Sequence, residues 1–297
     1  MDWSTPFLEN LETFQQCALA NDFIANNYSA VNTFLYAKKF DSKISIQDGW
    51  VFEKYCSDGK CCHSFPHNIN GDNSNYKEAL RTLEKECGPN LFFSNITKEE
   101  KDMLLTVWPM AECVLDEASG DYIYLSQNLA ELPGKLYSKK RNHLNQFKKK
   151  YCDYRFELLA ENNLSAAMEV ENKWLEDSGG EADLLTEKDL IQKALDNFSA
   201  LKKICGMSGG VVFVEEKPIA FCIASALSKD VTDVHFEKCV SPFDRDGGFA
   251  IINNEFSKTL STKLANREED LGIEGLRKAK LSYYPEQVLE KYDVTVG

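Results

Sequence analysis

Residues 231–250 read VTDVHFEKCVSPFDRDGGFA. The first ten alternate as a strand does, which sets His235, Glu237 and Cys239 on one face and Val234, Phe236 and Lys238 on the other. A His and a Glu two positions apart on one face are placed to relay a proton. Asp244-Arg245-Asp246-Gly247-Gly248 ends the strand, and Phe249, Ile252, Phe256 and Leu260 recur behind it at helical spacing. Two glycines and an arginine before an apolar helix present backbone N–H groups at a helix N-terminus, so Arg245, Gly247 and Gly248 form a candidate anion cradle. Strand end followed by helix start is where α/β proteins concentrate their chemistry.

Downstream, residues 266–285 read NREEDLGIEGLRKAKLSYYP. Acids (Glu268, Glu269, Asp270, Glu274) and bases (Arg267, Arg277, Lys278, Lys280) crowd around two glycines, the acids mostly ahead of an expected last helix. This pattern reads as a polar strand end beside a helix. An ion-pair network that pins the helix is the rival reading.

Working back, hairpins are expected at 43–47 with 50–56, and at 61–65 after an Asp58-Gly59 turn. Others are expected at 111–116 with 122–125 over an Ala-Ser-Gly-Asp turn, and at 210–215 with 219–227 over Glu216-Lys217-Pro218. Helices are expected at 11–25, 28–40, 76–87, 164–177 (stopped by Ser178-Gly179-Gly180) and 186–201. Thr97 and Glu100 open one more helix through a capping box. Both halves run helix, helix, hairpin, then further strands and helices, which suggests two copies of one α/β unit. A chain of 297 residues suits that division. The expected units are 1–150 and 151–297, the second holding the active cleft.

The charge is −13, which repels nucleic acid and anionic membranes at long range. DNA is not expected as a partner, and any polyanion must meet a local basic patch. No leader and no membrane-spanning run stands out, so a cytoplasmic location is expected. The ten cysteines read as free thiols of a reducing compartment. Cys56, Cys61, Cys62, His63 and His67 resemble a zinc site in spacing, but alternation points Cys61 and Cys62 to opposite faces, and no metal is expected.

Residues 135–150, KLYSKKRNHLNQFKKK, carry Lys135, Lys139, Lys140, Arg141, Lys148, Lys149 and Lys150 with no acid. The run reads either as a solvated helix face or as a dock for a phosphate, a coenzyme or an RNA backbone such as that of tRNA.

These segments carry a resemblance. The strand, Arg-x-Gly-Gly-x-Ala (245–250) and helix resemble a degenerate pyrophosphate-binding turn of the GCN5-related N-acetyltransferase (GNAT) fold. GKLYSKKRNHLNQF (134–147), residues 266–285 and NNYSAVNTFLYAKKF (26–40) are similar to a widespread bacterial family related to the C-terminal domain of phosphatidylglycerol lysyltransferase. The resemblance implies an α/β (α+β) fold of two tandem GNAT-like units, with mixed, mostly antiparallel sheets flanked by helices. It also implies anion binding by Lys139, Lys140, Arg141 and Asn142, and a cleft lined by Glu237, Arg267, Glu268, Asp270, Arg277 and Lys280. No counterpart of the membrane-embedded half of the lipid transferases is expected in these 297 residues, and Asp246 stands where the acetyltransferase turn prefers a small or neutral residue.

Two functions follow. One is transfer of an acyl or aminoacyl group from acyl-CoA or aminoacyl-tRNA, the donor being a substrate and no cofactor being tightly bound, to an amine or hydroxyl. His235, Glu237 and Asp270 are its candidate catalytic groups. The other is a binding protein on a degenerate transferase fold, without turnover. No Ser or Cys stands in a nucleophile-elbow context, which disfavours a covalent hydrolase.

Overall fold

The computed structural model describes residues 1–179 and 182–297, with only the backbone described at 182–185. Gly180, expected in the stop after residue 177, lies outside the described residues. The strands are β1 (Lys43–Gln47), β2 (Trp50–Ser57), β3 (Lys60–His63), β4 (His67–Asn68), β5 (Leu91–Thr97), β6 (Glu112–Leu125), β7 (Arg155–Leu158), β8 (Ser208–Val214), β9 (Lys217–Ala226), β10 (Val231–Cys239), β11 (Leu264–Asn266) and β12 (Gln287–Val296).

They form one continuous sheet in the order β1-β2-β3-β5-β12-β6-β11-β10-β9-β8-β7, with β4 beside β2. Where separate sheets are expected, a single mixed sheet flanked by helices runs through both halves. Its pairings are antiparallel except β3–β5 and β10–β11. Apart from the edge strand β7, the order is symmetric about its middle. From one side β1, β2, β3 and β5 lead to β12, and from the other β8, β9, β10 and β11 lead to β6. Each half therefore lends its last strand to the other half's side of the sheet.

Packing explains the exchange. Val294 and Val296 of β12 are buried with Trp50, Phe52, Phe65, Leu80, Leu83, Phe93, Ile96 and Leu104. Tyr122 and Tyr124 of β6 are buried in the larger core with Phe221, Phe236, Ile251, Phe256 and Tyr283. Pulling either strand out would expose aromatic or branched side chains from both halves.

Local rules account for many elements. Thr97 and Glu100 close a reciprocal capping box at the helix Lys98–Val107. The helix Tyr76–Cys87 stops at Gly88, whose φ of 94° suits glycine. Cys61 is exposed and Cys62 buried, as alternation along β3 requires.

Three expectations change. Residues 112–125 are one strand, not a hairpin, because Asp116 and Asp121 pair with Lys291 and Leu289 and the intervening residues bulge out of the ladder. The helix expected at 186–201 is two, Ala182–Asp196 and Phe198–Cys205. The turn between β8 and β9 uses Glu215 and Glu216, both at positive φ, so Lys217 and Pro218 begin β9.

Candidate functional site

The parallel strands β10 and β11 pair only through Val231, Thr232 and Asp233 with Leu264, Ala265 and Asn266. β10 then runs on to Cys239 while the chain leaves β11 into residues 267–272, so the sheet opens as a wedge. The wedge holds a cavity of about 630 Å³ that reaches His235, Glu237, Arg267, Glu268, Glu269 and Lys140.

His235 stands at a β-bulge between Val234 and Phe236 and has no ladder partner on β9. Its Nδ1 lies 3.2 Å from Glu268 Oε1 and 3.5 Å from Asp233 Oδ2, and its Nε2 lies 2.8 Å from Ser225 Oγ. Glu237, two residues on, has separate partners. Arg267 Nη2 donates to it at 2.9 Å and Asn253 Nδ2 at 3.4 Å. His235 and Glu237 thus share a cavity but not a hydrogen bond. Arg267 Nη1 is buried without a hydrogen-bond partner among the described residues. Lys140 Nζ lies 3.7 Å from the centre of the Tyr283 ring, and burial, with Arg267 nearby, lowers its pKa to about 8.

Residues 266–270 are held from behind. The Asn266 side chain accepts from the Glu268 N–H at 2.7 Å and donates to Asp121 and to the Ile24 carbonyl, each at 2.8 Å. Lys280 Nζ donates to the carbonyls of Arg267 (2.6 Å), Glu268 (3.0 Å) and Glu269. Asp270 accepts from Arg277 Nε at 2.7 Å, from the Tyr122 hydroxyl at 2.6 Å and from the Gly272 N–H at 2.8 Å. Despite burial, those donors keep the Asp270 pKa below its usual value. Asp270, Arg277 and Lys280 therefore fix the loop, and Arg267, Glu268 and Glu269 face the cavity.

Beneath them lies a carboxylate cluster that sequence reasoning did not single out. Lys291 Nζ contacts Asp121 Oδ1 at 2.6 Å and Asn26 Oδ1 at 2.5 Å. Asn26 Nδ2 donates to Glu269 at 2.7 Å, and Asn32 Nδ2 donates to Glu268 at 2.9 Å. Burial raises the Glu269 pKa, and Glu268 and Asp121 add to the rise against the opposing effect of Lys291. Asp233 is raised well above its usual value, first by burial and then by Glu268, Asp121 and Glu269. The partners come from 26–32, 121, 233, 266–269 and 291, so only the strand exchange brings them together. No local spacing signals it.

A second cavity of about 380 Å³ lies in the N-terminal half, reaching Glu53, Tyr55, Ser64, Asn95, Asn27 and Lys39. The two cavities share Tyr36, Glu268, Glu269 and Leu271 along their walls. Burial pushes Glu53 up to about 7, although the Ser64 hydroxyl donates to it at 2.7 Å. A larger hollow of about 810 Å³ lies along the helix Leu164–Asp177, but its charged lining residues (Glu169, Lys173, Glu176, Asp196, Lys217) are all exposed.

The remaining candidates lie apart. Lys139 and Asn142 are exposed on the helix Ser138–Lys150, outside the cavity lining. Arg141 donates to the carbonyls of Leu132 (2.5 Å) and Gly134 (2.6 Å). Arg245 is exposed. Gly247 lines the cavity with φ 103°, but the Gly248 N–H donates to the Phe243 carbonyl at 2.8 Å and is not free for an anion. Asp246 is turned to Lys150 (2.6 Å) and the Tyr151 hydroxyl (2.5 Å).

Residues 27–295 match the family described as "Phosphatidylglycerol lysyltransferase, C-terminal". The chain belongs to this family. A solved structure of a conserved protein of unknown function from Bacteroides thetaiotaomicron is 30% identical, with TM-score 0.91 and full coverage of both chains. L-PGS from Bacillus licheniformis superposes with TM-score 0.69 at 16% identity over 99% of this chain and 93% of that one, a likeness of fold. FemX shares the fold at TM-score 0.61 and 10% identity, over 98% of this chain and 97% of that one. An uncharacterised protein of Mycoplasmoides gallisepticum is 25% identical over 187 residues, which span 62% of this chain and 58% of that relative. By family and fold this member of the phosphatidylglycerol lysyltransferase C-terminal family is acyl- or aminoacyltransferase-like. Among the described residues no helix is long and apolar enough to cross a membrane.

Proposed function

We propose that this protein transfers an aminoacyl group from an aminoacyl-tRNA to an amine or hydroxyl acceptor, with the two cavities as donor and acceptor sides. The observation that carries this reading is their common wall at Tyr36, Glu268 and Glu269. The donor ester would enter the wedge between β10 and β11, with its carbonyl oxygen against Arg267 Nη1. That buried N–H has no other partner among the described residues, and Glu237 keeps the guanidinium in place. The acceptor would come from the side of Glu53 and Asn95.

Glu269 faces both sides and has a raised pKa, which suits a general base. It would take the acceptor's proton as the acceptor's N or O bonds to the carbonyl carbon. The ester C–O bond then breaks, and the proton goes to the departing ribose oxygen. In this reading Glu237 and His235, the expected proton relay, act by holding Arg267 and Glu268. The units 1–150 and 151–297 would supply the acceptor and donor sides, with strands exchanged at the seam.

An aminoacyl ester is preferred over acyl-CoA because the glycine turn has few free groups for a pyrophosphate. The Gly248 N–H is occupied and Asp246 is paired with Lys150. Ligand binding without turnover is the second reading, supported by the Asp270–Arg277 ion pair and the Lys280 hydrogen bonds to backbone carbonyls that fix the loop. Thermal-shift measurements with aminoacyl-tRNA, free tRNA, coenzyme A and acetyl-coenzyme A test the donor. Stabilisation by aminoacyl-tRNA that is lost in R267M supports the proposal, and stabilisation by acetyl-coenzyme A alone refutes it.

A further inference from the structure

We propose that Asp233, His235 and Glu268 bind one divalent transition-metal ion, of the Zn²⁺ or Mn²⁺ class, at the floor of the wedge. The three side chains offer one ligand atom each, all within 4.8 Å of one another. His235 Nδ1 is 3.5 Å from Asp233 Oδ2 and 3.2 Å from Glu268 Oε1. A tetrahedral shell with bonds of about 2.1 Å has edges of about 3.4 Å, so these separations are close to those of ligands already around an ion. One imidazole nitrogen with two carboxylate oxygens favours a transition ion over Mg²⁺ or Ca²⁺, which prefer all-oxygen shells.

The support behind the three is of the kind a metal ligand needs. Ser225 Oγ sits 2.8 Å from His235 Nε2, where it can accept the second ring N–H and leave Nδ1 as the donor to an ion. Asn32 Nδ2 reaches Glu268 at 2.9 Å and Asp233 at 3.5 Å, and the Asn266 and Lys280 contacts hold the Glu268 backbone. Asp233 and His235, two residues apart on β10, bring Oδ2 and Nδ1 to 3.5 Å of each other.

Charge points the same way. The neighbouring cations have other partners. Arg267 is paired with Glu237, Lys280 with backbone carbonyls and Lys291 with Asp121. Asp233 is wholly buried, and its Oδ1 has no hydrogen-bond partner among the described residues. A buried carboxyl left in this way must either hold a proton or be met by a cation, and an ion on Asp233 would displace that proton. His235 and Glu268 line the open cavity, so an ion there would keep a face toward solvent or substrate. The inference does not depend on the transferase reading.

The test is calorimetric titration of chelator-treated full-length protein with Zn²⁺ and with Mn²⁺. It is done in a C56S/C61S background, because those exposed thiols would bind Zn²⁺ on their own. The expected result is one ion per chain with a raised melting temperature, affinity nearly lost in E268Q and H235Q, and affinity about 10-fold weaker in S225A. Circular dichroism in chelator checks that each variant folds. An E268Q that folds and binds as tightly as its parent overturns the proposal, as does no binding at millimolar ion. Stabilisation by an alkylammonium such as lysine amide, with none by either metal, overturns it in favour of an ammonium site.

Discussion

Lys291 Nζ lies 2.6 Å from Asp121 Oδ1, and both side chains are shut away from water. The pair joins β12 to β6, the two strands exchanged at the centre of the sheet. Burial alone would lower the Lys291 pKa, but Asp121, Glu269 and Glu268 outweigh it and hold it above its usual value.

Removing one partner strands the other charge in the interior. D121N or K291M is expected to destabilise the fold by about 3–5 kcal/mol in urea denaturation, with D121N/K291M losing less than the sum of the two. Additive losses would show that the pair is not coupled.

Glu53 makes stability depend on pH. Burial raises its folded pKa from 4.5 to about 7, so the folded chain keeps a proton that the unfolded chain has released. Its contribution is fully present below about 4.5 and is lost as pH rises through 7. E53Q is therefore expected to nearly match the parent at pH 4.5 and to exceed it at pH 8 by about 3 kcal/mol. Urea midpoints at the two pH values check this, and an equal gap at both would contradict it.

The basic run is less free than its sequence suggests. Lys148 pairs with Glu255, Lys150 with Asp246, Arg141 with carbonyls, and Lys140 stacks on Tyr283. Exposed Lys135, Lys139 and Lys149 remain for a polyanion. If tRNA docks here, K135A/K139A/K149A should flatten the log–log salt dependence of binding by about 2–3. An unchanged slope in a filter-binding series would make the run a solvated face.

The legible parts of the fold were those set by neighbours in sequence. The Asp48-Gly49 and Asp58-Gly59 turns, the capping box at Thr97 and the helix Tyr76–Cys87 follow from local chemistry. The resemblance in residues 134–147 and 266–285 reached the family. Residues 287–296 were not read as a strand, since their partners lie at 91–97 and 112–123, far back in the chain. Of the site, the wedge residues His235, Glu237, Arg267 and Glu268 were in view. Asp121, Asp233 and Lys291 were not, because a lone buried charge looks like a surface one until its partners are known, and Glu269 was seen only as one acid of the charged stretch. Asp270, Arg277 and Lys280 were in view for the opposite reason. Their charge density suggested chemistry, and in the structure it holds the loop.

The central claim is that an aminoacyl ester is transferred at the common wall of the two cavities. The direct measurement follows radiolabelled aminoacyl-tRNA incubated with the full chain and a pool of amine and hydroxyl acceptors. The account predicts label moving from tRNA to an acceptor faster than spontaneous hydrolysis, with the rate falling at least about 100-fold in R267M and in E269Q. Label that stays on tRNA at the spontaneous rate with every acceptor, while the protein still binds the donor, would contradict it.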